Sequence, residues 1–441
     1  MKRGSMRLVT VFAVVLALVA GACGEDEDAG TDTTTAVDID VTTVGLWDDG
    51  PCDESLDPLI VGLQATFESP ILTAVDQALA LEASAVAFNA RGGAKGHCIE
   101  VVTCDEEADP NEAVNCARTL DEAEVAVTIN DGSIAPGPEV GDAHEAAGIA
   151  RFATASGTPD LTDPNSYPID AGGIGTTMVA PQGLVDQGVK KIASIRVDIP
   201  AAAALIGIYE DIYADDGVEF VADIPVPAGT TDYTQFILGA EKAGAEGVII
   251  GLGGQEAIQV MRAAQQLGSD LLISASTGTF HYADVAGLGD LAEQMVLNGA
   301  NVPATSDVPA VEVLRADLAA SGEEALQPRN LKATPMRSWM GLYALLTIIR
   351  NAGTEDFSRA NLTSLIKASG PIDMLDLTAD WTPDTNNPGI FPRTGNGHYA
   401  FYKWDPESEF EGTDGNFVET SELNFNALVC GSPIGAPVET C

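Results

Sequence analysis

Residues 84–122, SAVAFNARGGAKGHCIEVVTCDEEADPNEAVNCARTLDE, constrain the chain path more tightly than any other stretch. Ser84 to Asn89 reads as the end of an apolar helix, and Asn89 to Gly96 as the turn that closes it. Arg91-Gly92-Gly93 supplies positions that take positive φ at low cost, which a helix needs where it stops and reverses. Cys98 to Cys104 then has the β-branched content of a short strand. Asp109-Pro110 opens a second helix, Asn111 to Glu122, with proline at its first turn and acids beside its positive end.

From Leu59 onward, short apolar runs alternate with helical runs, which predicts parallel α/β layers. Strands are expected at Leu59–Gln64, Val125–Ile129 and Ile149–Thr154, then in a second set at Ile192–Val197, Glu219–Ile224, Gly247–Gly251 and Leu271–Ser274. Between them, helices are expected at Glu139–Ala147, Ala201–Tyr213, Thr231–Ala243 and Gln255–Gln266, and near Gly183–Gln187. Two further helices, Val311–Ser321 and Pro335–Asn351, follow; Trp339, Leu342, Leu345, Leu346 and Ile349 give the second a core-packing face. A strand is expected at His398–Lys403.

Strand, helix, N-A-x-G-G-x-x-G at Asn89–Gly96, strand, acidic Asp109-Pro110 loop, helix: this order resembles the opening of the Leu/Ile/Val-binding family of extracytoplasmic solute receptors. The resemblance runs from about Leu59 to about Ala352. It implies the type 1 periplasmic binding fold, in which two lobes, each a mostly parallel sheet flanked by helices, hold a ligand cleft between them. On that pattern residues 44–177 and 303–352 form lobe 1, and residues 178–302 and 353–441 form lobe 2. The implied protein is a monomer that binds a small solute without chemistry or cofactor and presents it to an ABC permease. A sensory receptor signalling through a membrane partner is the other class the same architecture serves.

The resemblance also implies ligand contacts on loops at the carboxyl ends of strands, where helix N-termini expose N–H groups. In lobe 1 these are Phe67 and Ser69, then Ser133, then Ser156 and Thr158 before and after Gly157. Each of these hydroxyls equally suits a helix cap or a turn. In lobe 2, Asp198, Gly254 and Thr277 hold the corresponding places. That lobe departs from the family: Asp198-Ile199-Pro200-Ala201-Ala202 lacks the usual tyrosine, and Ser276-Thr277-Gly278 lacks the glutamate that pairs with an α-ammonium. Phe280, His281 and Tyr282 stand nearby.

The N-terminus reads independently. Lys2, Arg3 and Arg7 precede an apolar run from Leu8 to Val19 and the small residues Ala20-Gly21-Ala22 before Cys23, so residues 1–22 read as a secretory signal. The site resembles a lipobox, which would make Cys23 the lipidated first residue at the outer face of the membrane; an ordinary cleavable signal with an incidental cysteine is the alternative. Residues 23–43 are acidic and threonine-rich, as expected of a solvated tether. The net charge of −45 argues against nucleic acid or anionic lipid headgroups as partners.

Besides Cys23 there are six cysteines, an even number that favours disulfides in an exported chain. Cys104 at a strand end and Cys116 in the next helix suit each other. Cys430 with Cys441 and Cys52 with Cys98 complete one of several possible pairings. Neither a C-x-x-C pair nor clustered histidines suggest a metal. Gly251-Leu252-Gly253-Gly254 has Glu256 where a dinucleotide fingerprint needs glycine, and His144-Glu145 lacks a zinc helix's second histidine. With no P-loop and no G-x-S-x-G elbow, enzyme classes fare poorly.

Overall fold

The computed structural model describes residues 39–67, 69, 73–133, 137–154, 157–387 and 391–432. The first half alternates β1 (Leu59–Ala65), α1 (Val75–Ala90), β2 (Ile99–Asp105), α2 (Pro110–Glu122), β3 (Val127–Ile129), α3 (Pro138–Ala147), β4 (Ala150–Phe152) and β5 (Ser166–Tyr167). The second continues with α4 (Gly172–Asp186), β6 (Lys191–Val197), α5 (Pro200–Ala203), α6 (Leu205–Ile212), β7 (Glu219–Val226), α7 (Thr234–Lys242), β8 (Gly247–Gly251), α8 (Gly254–Leu267), β9 (Leu272–Ser276), α9 (Tyr282–Ala286) and β10 (Met295–Gly299). The chain ends with α10 (Pro309–Ala319), α11 (Ala333–Ala352), α12 (Arg359–Ala368), β11 (His398–Phe410), β12 (Thr413–Asn424) and α13 (Phe425–Leu428).

These strands make two sheets. The first is parallel, in the order β2-β1-β3-β4-β5. The second runs β12-β11-β10-β9-β8-β6-β7, with β6 to β10 parallel and β11 and β12 added antiparallel. Counted within each set, both parallel portions have the order second, first, third, fourth, fifth. Central strands are buried on both faces, as helix-covered parallel strands must be: six of the seven residues of β1 are buried. The expected fold class, two parallel-rich sheets flanked by helices, is the one found.

Local signals act as read at the first helix end and the next helix start. Gly93 has φ +52°, and a Cβ there would lie 2.2 Å from the carbonyl oxygen of His97. Asp109 caps α2 by accepting from the N–H of Asn111 at 2.7 Å, with Pro110 in the first turn. Disulfides join Cys52 to Cys98 and Cys104 to Cys116. Cys430 is also disulfide-bonded; Cys441 lies outside the described residues.

Several expectations change. The end of the proposed tether is ordered: Val41–Val44 forms a 3-10 turn capped by Asp40, and Leu46 is buried. Helix α4 begins at Gly172, far before Gly183, because Met178, Val179, Ala180 and Leu184 gain cores on the second sheet despite Pro181 within it. The lobe boundary expected at 177/178 therefore falls inside a helix. Nor do residues 353–441 stay together. Arg359 of α12 donates to the carbonyls of Val125 at 2.7 Å and Ala147 at 2.8 Å on the first sheet's side, whereas β11 pairs with β10.

The chain consequently crosses between the sheets three times, before α4, after β10 and before β11. The crossings bind one another or adjoining segments: Val302 N–H donates to Leu377 O at 3.0 Å, and Asn396 N–H to Ile169 O at 2.6 Å. Helix α11 packs along α1 on the first sheet's side. Its Trp339 stacks on Tyr343 and lies 5.2 Å from Phe88, while Trp47 covers Phe88 and Tyr343. Trp339 Nε1 and Arg91 both donate to Asp317 of α10.

Gly341 lets α11 approach the sheet, since a Cβ there would lie 2.7 Å from Ala153 Cβ and 2.8 Å from Ile129 Cγ2. Glycine to alanine in a helix ordinarily stabilises by ~1 kcal/mol. Gly341→Ala is expected to lower stability instead, by about 1–3 kcal/mol through overpacking. A urea midpoint equal to or above the parent's would refute this reading of the contact.

Candidate binding cleft

In a sheet of this strand order the direction of winding reverses between the first and third strands, and a crevice opens at their carboxyl ends. Here those places are the loops after β1 and β3 and the loops after β6 and β8. The amino end of α11 connects the two sides. Asn130, just after β3 and held at φ +54°, donates from Nδ2 to Ser338 Oγ at 2.9 Å and to Thr334 O at 3.1 Å. Ser338 in turn donates to Gln77 O of α1. On the other side Ala333 N–H faces Thr277 O at 3.5 Å, and a Cβ on Gly278 would lie 3.0 Å from Thr334 Oγ1. Arg337 grips Asp170 of the first crossing at 2.9 Å.

Below the loops of the first side lies a buried polar network. Glu106, fully buried after β2, accepts from Thr66 Oγ1 at 2.6 Å, Ser133 Oγ at 2.7 Å and Gln64 Nε2 at 3.1 Å. Asp131 accepts from the N–H of Gln64 and the hydroxyl of Thr128, and pairs with Arg151 at 3.4 Å. Arg151 also meets Asp160 at 2.6 Å. Burial pushes the Asp131 carboxyl above its usual range, against the pull of Arg151. His144 faces Gln64 Oε1 at 3.0 Å; burial, reinforced by Arg151, brings its pKa down to about 3.

The residues singled out from sequence divide accordingly. Phe67 donates its N–H to Asp105 at 3.1 Å, and Ser69 is half-buried beside it. Ser133 is buried and directs its proton to Glu106. Thr158 is exposed at the start of the 3-10 turn Thr158–Leu161, and Ser156 lies outside the described residues. Asp198 is exposed. Gly254 opens α8 and, with Thr277, borders the start of α11. Thr277 and Ala333 also line a small pocket with Phe280, Leu331 and Thr305, whose buried hydroxyl has no partner.

Sequence reading missed Lys332 and Asp76. Lys332 is the N-cap of α11, and a Cβ on Gly254 would lie 3.7 Å from its Nζ. Asp76, in the first turn of α1, feels the Lys332 charge from the other side. Burial raises the Asp76 carboxyl, opposed by Lys332 and by the α1 N–H groups of Asp76 and Gln77. The signal was present: a cation at a helix N-terminus opposes the helix dipole, at a cost of roughly 0.3–1 kcal/mol.

A family model described as periplasmic binding protein matches residues 60–406. The chain belongs to that family. As a periplasmic binding protein it has the type 1 fold, and solved structures share it. A fatty acid ABC transporter substrate-binding protein from Thermomonospora curvata superposes with TM-score 0.69 at 16% identity, over 89% of this chain and 98% of that one. A leucine-, isoleucine-, valine-, threonine- and alanine-binding protein from Brucella ovis, in a closed conformation, gives 0.68 at 13%, over 88% and 99%. A solute binding protein from R. palustris in complex with 4-hydroxybenzoate gives 0.66 at 14%, over 83% and 97%. No curated protein matches. No helix among the described residues of this binding protein is long and apolar enough to cross a membrane.

The buried imidazole sets a pH dependence. Between pH 6.5 and about 3 the unfolded chain takes up a proton at His144 that the folded protein refuses, so stability falls as pH falls through that window. The loss of stability between pH 7 and pH 4.5, read from urea midpoints, is expected to be smaller in His144→Gln than in the parent. Equal losses would overturn this assignment.

Proposed function

We propose that this binding protein is the lipid-anchored substrate-binding component of an ABC importer. It captures a small polar organic solute, amino acids and their derivatives first, by closure of two lobes about the three crossings. The observation that carries this reading is the repeated sheet order, with both switch-point edges meeting at the start of α11. Ligand touching both edges stabilises the closed arrangement by the difference in its affinity for the two states. The ligands named for the neighbours, branched-chain and other amino acids, 4-hydroxybenzoate and fatty acid, all carry a carboxyl group and support the solute class. Cys23 supplies the anchor and the acidic stretch after it the tether; a permease then reads the closed shape from both lobes.

A melting screen of the mature chain tests the binding step. A solute at 100 times its dissociation constant adds about 2.7 kcal/mol to stability. At least one amino acid or derivative is expected to raise the melting temperature and to contract the scattering profile in solution. A bound solute that leaves the scattering profile unchanged would contradict hinge closure. For the anchor, Cys23→Ser is expected to move the protein from the membrane fraction to the soluble exported fraction; persistence in the membrane fraction would refute lipidation at Cys23.

A further inference from the structure

Resting on the solute-binding reading, we propose that Lys332 receives the solute's carboxylate, making the cleft selective for small carboxylic acids over the matching amides and amines. Lys332 stands where the two lobes meet, with Gly254 and His281 on one side and Asp76 on the other. Among the described residues its ammonium has no hydrogen bond and no ion pair, whereas Arg337, the next cation along the same helix, is paired with Asp170. In a chain of net charge −45, with 66 acids against 21 lysines and arginines, a cation left without a carboxylate at the cleft is not a matter of scarce partners.

The surroundings keep that charge available. The Asp76 carboxylate is turned onto the N–H groups at the start of α1. Ser276-Thr277-Gly278, the neighbouring segment, carries no charge. Burial lowers the pKa of His281, opposed by Asp284 at 3.2 Å and assisted by Lys332. Two long helices begin beside Lys332 without side-chain caps: α8 behind Gly253 and α11 behind Lys332 itself. The N–H groups at the start of α8 and the ammonium together favour an anion of carboxylate size. Gly254 leaves the approach open, since a Cβ there would crowd Thr279 O at 3.1 Å and come into contact with Lys332 Nζ at 3.7 Å. The position also breaks the local rule that cations avoid helix N-termini, the kind of inconsistency that marks a functional position.

The test uses the mature full chain and matched probes: leucine, hexanoate and benzoate against leucinamide, hexanamide and benzamide, followed by melting curves and titration calorimetry. At least one carboxylate is expected to bind, with its amide at least ten-fold weaker. Lys332→Gln should lose ten-fold or more in affinity for that carboxylate, and Lys332→Arg should recover part of it. Without ligand, Lys332→Gln should melt no lower than the parent, because it removes a cation from a helix N-terminus; a purely structural lysine would lower it. Amide binding equal to carboxylate binding, or undiminished affinity in Lys332→Gln, overturns the proposal. Binding by amides or by putrescine alone also overturns it, yet leaves the solute-binding reading intact. Silence from every solute of any charge overturns both.

Discussion

The close approach of α11 to the first sheet is the contact on which the rest of the molecule depends. Gly341 removes the Cβ that would press on Ile129 and Ala153, and Trp339, Tyr343 and Phe88 fill the space beside it. Because the body of α11 is fixed there, its amino end is fixed too, and that end touches both sides of the cleft. Asn130 and Ser338 hold it to the first lobe, Thr277 and Gly278 border it on the second, and Arg337 ties it to a crossing. A helix seated rigidly in one half and protruding toward the other is a natural pivot for closure.

Electrostatics separates interior from surface. The formal charge of −45 sits mostly on solvated faces, where it resists association with polyanions without fixing the fold. Inside, charge is compensated group by group: Arg151 between Asp131 and Asp160, and Arg91 on Asp317 beside the Trp339 indole. Such pairs hold loop geometry more than they add net stability, since desolvation offsets much of the attraction. The loop after β3, where the family resemblance places ligand contacts, is locked from beneath by this network.

Much of the first lobe was legible in the chain because its signals are local. Gly92-Gly93 needs positive φ, Asp109 caps a helix, and β-branched runs between helical ones give parallel strands. The start of α4 was not legible: a helix was read only near Gly183–Gln187, and the cores on the second sheet carry it back to Gly172 through Pro181. Strand β10 and the partner β12 escaped notice because each is completed by neighbours distant in sequence. Serines were the natural site candidates, yet the hydroxyl of Ser133 turns to Glu106, a residue no motif flagged.

By itself the sequence determined the α/β class, the doubled set of strands and helices and the turn chemistry, since these follow from periodicity and backbone preference within a few residues. Tertiary structure alone decided that α12 rests on the first half while β11 and β12 extend the second sheet, and that Lys332 comes near Gly254 of one half and Asp76 of the other. Those outcomes turn on which surfaces bury one another across hundreds of residues, and no local preference encodes that.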